Sequence, residues 1–124
     1  MQKNPVGWWE IGTKDADGLR DFFEKAFEWD IKKDDKMGYH EVPAGEGGGG
    51  FHGGGFLTIT EEMGVPPYVT FYITVDDVDA MAEKVKGLGA TIVKDCFDIE
   101  GVGRICIFQE PTGTMLGLFG KPTA

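Results

Sequence analysis

The chain has 124 residues, of which 12 are basic and 21 acidic, giving a formal charge of −9. A length in this range makes one compact domain, and 41% apolar with 27% charged residues is the balance of a folding chain and not of an acidic tail. The acid surplus argues against nucleic acid and anionic membranes as partners and favours a cation if the ligand carries charge.

Met1 to Gly7 has one lysine and no apolar run, so no export signal is expected and the reading is a cytoplasmic chain without a membrane span. Cys96 and Cys106 stand ten apart, without a CxxC pair or zinc-ligand spacing, and are expected to be reduced core thiols.

The first legible element is VGWWEIGT, residues 6 to 13, a strand with Trp9 and Ile11 on one face and Trp8 and Glu10 on the other. Asp15 and Asp17 then offer cap carboxylates to a helix whose apolar stripe is Leu19, Phe22, Phe23, Ala26 and Phe27. Residues 29 to 33 (WDIKK), 39 to 42 (YHEV) and 56 to 60 (FLTIT) are predicted as three further strands, the first two separated by a turn at Asp34 to Gly38.

The order then restarts. Residues 69 to 75 (VTFYITV) alternate, with Val69, Phe71, Ile73 and Val75 on the face expected to meet a helix and Thr70, Tyr72 and Thr74 on the other. Asp76 and Asp77 precede a helical stripe of Val78, Met81, Ala82, Val85 and Leu88, and Gly87 and Gly89 supply its stop. Three strands follow at 90 to 94, 103 to 109 and 115 to 119. Asp15, Asp17 and Leu19 map onto Asp77, Asp79 and Met81 at an offset of 62 residues, and Ile31, Lys33 and Asp34 onto Ile92, Lys94 and Asp95 at 61. The fold class is therefore α+β, two βαβββ modules with mixed sheets forming a concave cleft, in a single domain of residues 1–124 with module one about 6–62 and module two about 69–121.

Within the first module, between the strands at 39–42 and 56–60, Gly45 to Gly55 holds eight glycines in eleven residues and is expected to be a loop. It lacks the Lys-Ser/Thr of a phosphate-binding loop, so two readings stand: a lid carrying Phe51 and His52, or a plain linker.

The segments VGWWEIGTKDADGLRDFFEKAF, VTFYITVDDVDAMAEKVKGLGATIV and GVGRICIFQEPTGTMLGLF, in this order, resemble the vicinal oxygen chelate superfamily of glyoxalases, extradiol dioxygenases, methylmalonyl-CoA epimerases, and fosfomycin- and bleomycin-resistance proteins. The resemblance implies a divalent metal held by His, Glu or Gln on four strands, and a homodimer. Counted from the motifs, three ligand positions fall on Trp8, Thr70 and Gly117, and the fourth near Phe56 to Thr58. An indole has no lone pair to give, a neutral hydroxyl is a poor donor, and glycine has no side chain, so no metal and no cofactor is expected. Glu10, His40, His52, Glu61 and Glu62 are the other candidate donors, without a recognisable ligand spacing.

The residues expected to meet a ligand are Trp8, Glu10, Phe51, His52, Thr58, Thr70, Tyr72, Arg104, Met115, Gly117 and Phe119. Trp8 either stacks on a planar ligand or plugs the cavity. Glu10 either faces a cation or pairs with Arg104, itself the one cation expected in the cleft. The expected function is binding of a planar organic small molecule, cationic if charged; the alternative is a glyoxalase-type lyase or isomerase, with a relocated metal at Glu10 and His52 or with Glu10 and Tyr72 as acid and base.

Overall fold

The computed structural model describes residues 3–35, 38–44 and 53–122. The expected repeat is present. The first module runs β1 (Val6–Thr13), α1 (Ala16–Phe27), β2 (Lys32–Lys33), β3 (His40–Val42) and β4 (Gly54–Thr58). The second runs β5 (Tyr68–Thr74), α2 (Val78–Gly87), β6 (Thr91–Ile99), β7 (Gly103–Gln109) and β8 (Met115–Gly120). The chain divides into compact units of residues 8–69 and of 1–7 with 70–124.

Each module builds the same mixed sheet. In the first, β1 pairs in parallel with β4, which is antiparallel to β3, which is antiparallel to β2. In the second, β5 pairs in parallel with β8, and β8, β7 and β6 continue antiparallel. The helix starts also correspond. Asp15 accepts a hydrogen bond from the Gly18 amide at 2.9 Å and Asp77 from the Ala80 amide at 3.0 Å, satisfying donors that a first turn leaves unpaired. No helix among the described residues is long and apolar enough to cross a membrane.

The core of each unit lies between its helix and its sheet. In the first, Ala16, Ile31, Val42 and Phe56 are buried, with Trp9, Ile11, Leu19, Phe23 and Trp29 packed against them. Phe22 and Phe27, expected in the helical stripe, are 58% and 56% exposed. Trp29 explains this, because its ring stacks on Phe23 at 4.9 Å and fills the space beneath α1, leaving Phe22 as an edge contact to Phe23. In the second unit Val75, Val78, Ala82, Cys106, Phe108 and Leu118 form the core, with Ile73 packed against it. Val69 and Phe71 share that face of β5 but stay exposed, since the packing against α2 includes only Ile73 and Val75.

Several element boundaries differ from expectation, among them the strand expected over 90–94, which runs as β6 to Ile99. β4 begins at Gly54, inside the glycine run, because Gly54 lies opposite Trp9 and a Cβ there would collide with the indole. The short WDIKK strand shrinks to Lys32–Lys33, Trp29 being given over to the aromatic core.

Candidate functional site

On β1 the pleat sends Trp9 and Ile11 toward α1 and leaves Trp8, Glu10 and Gly12 on the opposite face. Glu10 is 6% exposed. A carboxylate so buried is costly unless donors reach it, and two phenols do. Tyr68 donates to Oε2 at 2.8 Å and Tyr39 to Oε1 at 3.3 Å, while Trp8 Nε1 donates to the Tyr39 hydroxyl at 2.9 Å.

Room for the phenols comes from glycine. Gly55 stands opposite Glu10 in the β1–β4 register, and a Cβ there would meet the Tyr39 ring; a Cβ at Gly12 would meet the ring of Tyr68. Burial, reinforced by the Glu10 charge, pushes both phenols above their ordinary range, so they remain protonated donors at neutral pH. The result is a buried carboxyl group held by two phenols, one of which is in turn held by the Trp8 indole.

In the second unit, Thr70 is buried and gives its hydroxyl to the Met115 carbonyl at 2.8 Å. Tyr72 is buried opposite Gly117, its ring filling the space where a side chain at 117 would stand. Met115 and Phe119 alternate along β8 with Leu116 and Leu118, which point into the core. Tyr72, Met115, Gly117 and Phe119 therefore share the sheet face away from α2.

Arg104 lies on the other face. It shares a face of β7 with Cys106 and Phe108, and its guanidinium donates to Asp79 of α2 through Nε at 2.7 Å and Nη2 at 2.9 Å, and to Asp98 at 3.3 Å. The structural ion pair takes the place of the cleft cation expected from sequence. Thr58 ends β4 exposed, on the Phe56 side of the strand. Phe51 and His52, with the proposed lid tip, lie outside the described residues.

The four strand positions do not fit a divalent cation. The indole N–H of Trp8 is a donor already given to Tyr39, the Thr70 hydroxyl is given to a carbonyl, Gly117 is covered by Tyr72, and the fourth stretch holds core Phe56 with Leu57 and Thr58. Among the described residues no three His, Cys, Asp or Glu side chains group to hold a metal. His40, one of the alternative donors, is buried with Nε2 3.1 Å from Asp17 of α1, and Glu61 and Glu62 are exposed on a 3₁₀ turn.

Tyr39 and Tyr68 are absent from the sequence-derived set. Their signal was indirect: a strand carboxylate on a face destined for burial requires donors, and glycines at 12 and 55 mark where large rings approach the backbone.

Comparison with known proteins agrees with the fold. The family described as Glyoxalase/Bleomycin resistance protein/Dioxygenase superfamily matches residues 6–118. The putative glyoxylase CFP32 of Mycobacterium tuberculosis is 31% identical over 125 residues, covering 90% of this chain and 44% of that protein. The anthracycline biosynthesis protein DnrV of Streptomyces peucetius is 24% identical, covering 92% and 46%. The chain thus spans less than half the length of these relatives. Among solved structures, methylmalonyl-CoA epimerase from Mycobacterium tuberculosis superposes with a TM-score of 0.65 at 15% identity, covering 95% of this chain and 88% of that one. A hypothetical protein of Bacillus halodurans superposes with a TM-score of 0.70 at 12% identity, covering 99% and 98%.

Proposed function

The chain belongs to the glyoxalase/bleomycin resistance protein/dioxygenase superfamily, and from that premise we propose that it is a metal-free binding protein for a planar, cationic organic molecule. The observation that carries the reading is the carboxylate of Glu10 set among Trp8, Tyr39 and Tyr68. Aromatic faces attract a cation by about 0.5 to 2 kcal/mol each, and a carboxylate with low exposure adds a fixed counter-charge that salt screens weakly. The charge of −9 adds long-range attraction for the same class of ligand. On the sheet of the second unit, Tyr72, Thr70, Met115, Gly117 and Phe119 are separately proposed as ligand-facing residues, and the protein is proposed to work in the cytoplasm as a homodimer.

Calorimetry against a panel of planar cationic aromatics tests this. Binding is expected from protein that elemental analysis finds free of metal, and Glu10→Gln is expected to weaken it about tenfold, the loss of roughly one charge contact. No heat from any panel member overturns it.

The identity to a putative glyoxylase supports a second reading, a glyoxalase-type lyase or isomerase with Glu10 as a proton-moving group. Turnover of a hemithioacetal by wild-type protein, abolished in Glu10→Gln, would favour it over sequestration. Activity lost on chelation and regained on adding metal would assign the chemistry to a bound ion instead.

A further inference from the structure

We propose that Cys96 and Cys106 form a two-thiol modification site that takes a small-molecule disulfide, with Cys96 as the entry thiol, and closes into a disulfide bridge between β6 and β7. Phe97 pairs with Ile105 and Lys94 with Ile107, so the register slips between them and sets Asp95 and Cys96 together against Cys106. This is a bulge, a place where a strand bends and re-aims its side chains. Cys96 packs there against the core cluster that holds Cys106, whose thiol donates to the Lys94 carbonyl at 3.4 Å, and Cys96 lines a cavity together with Asp79.

Access separates the two roles. A cavity of about 320 Å³ is lined by Cys96 together with Asp79, Glu83, Lys86, Asp95 and Arg104, whereas Cys106 has no exposure and does not line it. The lining carries both signs of charge, which suits a disulfide with carboxylate and ammonium ends.

The chemistry is two successive exchanges. Cys96 loses its proton to solvent and attacks one sulfur of the small disulfide, forming a mixed disulfide and releasing one thiolate, which takes up a proton. The Cys106 thiol then gives up its proton and attacks the Cys96 sulfur, the mixed S–S bond breaks, and the departing small thiolate takes up a proton and leaves as the second thiol. Two protein thiols are oxidised by two electrons and the small disulfide is reduced to two thiols. Burial pushes Cys106 up to about 12 and raises Cys96, so the first step is expected to quicken about tenfold per pH unit through the neutral range.

The test incubates the full chain with glutathione disulfide between pH 7 and 9 and reads intact mass and free thiols after denaturation. Wild-type monomer is expected to lose both thiols and two hydrogens, reversibly with a dithiol reductant. Cys106→Ala is expected to stop at one glutathionyl adduct, and Cys96→Ser to react at least about tenfold more slowly. Circular dichroism establishes that Cys106→Ala is folded, and the wild-type measurement stands without it. Retention of both thiols, first attack at Cys106, or bridges only between chains would each overturn the proposal.

Discussion

The phenol of Tyr68 meets Glu10 Oε2 at 2.8 Å across 58 residues of sequence, joining the first residue of β5 to the middle of β1. Tyr68→Phe keeps the ring against Gly12 and removes only the donor, leaving a buried carboxylate oxygen short of one hydrogen bond. Such a loss costs about 1 to 3 kcal/mol. Urea titration is expected to show a lower midpoint with an unchanged slope. Combined with Glu10→Gln, the two losses should fall short of additive, because the bond can be lost only once. An unaltered midpoint in Tyr68→Phe would remove this bond from the account of the site.

Gly54 and Gly87 should respond to alanine with opposite signs. A Cβ at Gly54 would run into the Trp9 indole within the first core, and overpacking of this kind costs about 1 to 3 kcal/mol. Gly87 is the last residue of α2, with open space where a Cβ would stand and no left-handed backbone, so Gly87→Ala gains helix propensity of up to about 1 kcal/mol. Thermal unfolding of the two variants distinguishes them directly.

The two helix caps offer a test of the repeat. Asp15 and Asp77 hold equivalent amides at 2.9 and 3.0 Å. Replacing either by alanine is expected to cost about 0.5 to 2 kcal/mol, with the two losses adding in the double variant because the sites share no partner. Hydrogen exchange should place each loss in its own helix's first turn.

Local periodicity carried most of the fold. The strand over 6–13, the strand over 103–109 and both capped helices follow from alternation, helical spacing and Asp caps, signals that act within a few residues. The glycines at 54 and 55 read as loop because sequence alone does not reveal the rings of Trp9 and Tyr39 that approach from other strands. The same limit governs the site. The outward face of Trp8 and Glu10 was legible from the pleat, but Tyr39 and Tyr68 reach Glu10 only through pairing of distant segments. Arg104 fell on the helix side because its face is set by the β7 register, where Cys106 and Phe108 point into the core.

His40 supplies the pH dependence. It is 1% exposed beneath α1, with Nε2 3.1 Å from Asp17 and Nδ1 without a hydrogen-bond partner among the described residues. Burial lowers its pKa from the ordinary 6.5; Asp17 opposes that, while Arg20 and Lys33 reinforce it. The neutral imidazole is therefore the folded form. Below pH 6.5 the unfolded chain takes up a proton that the folded chain resists, so stability is full above that value and declines as the pH falls through the folded-state pKa. For one proton the slope is at most about 1.4 kcal/mol per pH unit. Urea midpoints measured from pH 7 to 5 should fall in the wild type and stay flatter in His40→Gln. Asp17→Asn, which removes the one opposing charge, should extend the decline to lower pH. Equal slopes for wild type and His40→Gln would mean that His40 does not govern the loss.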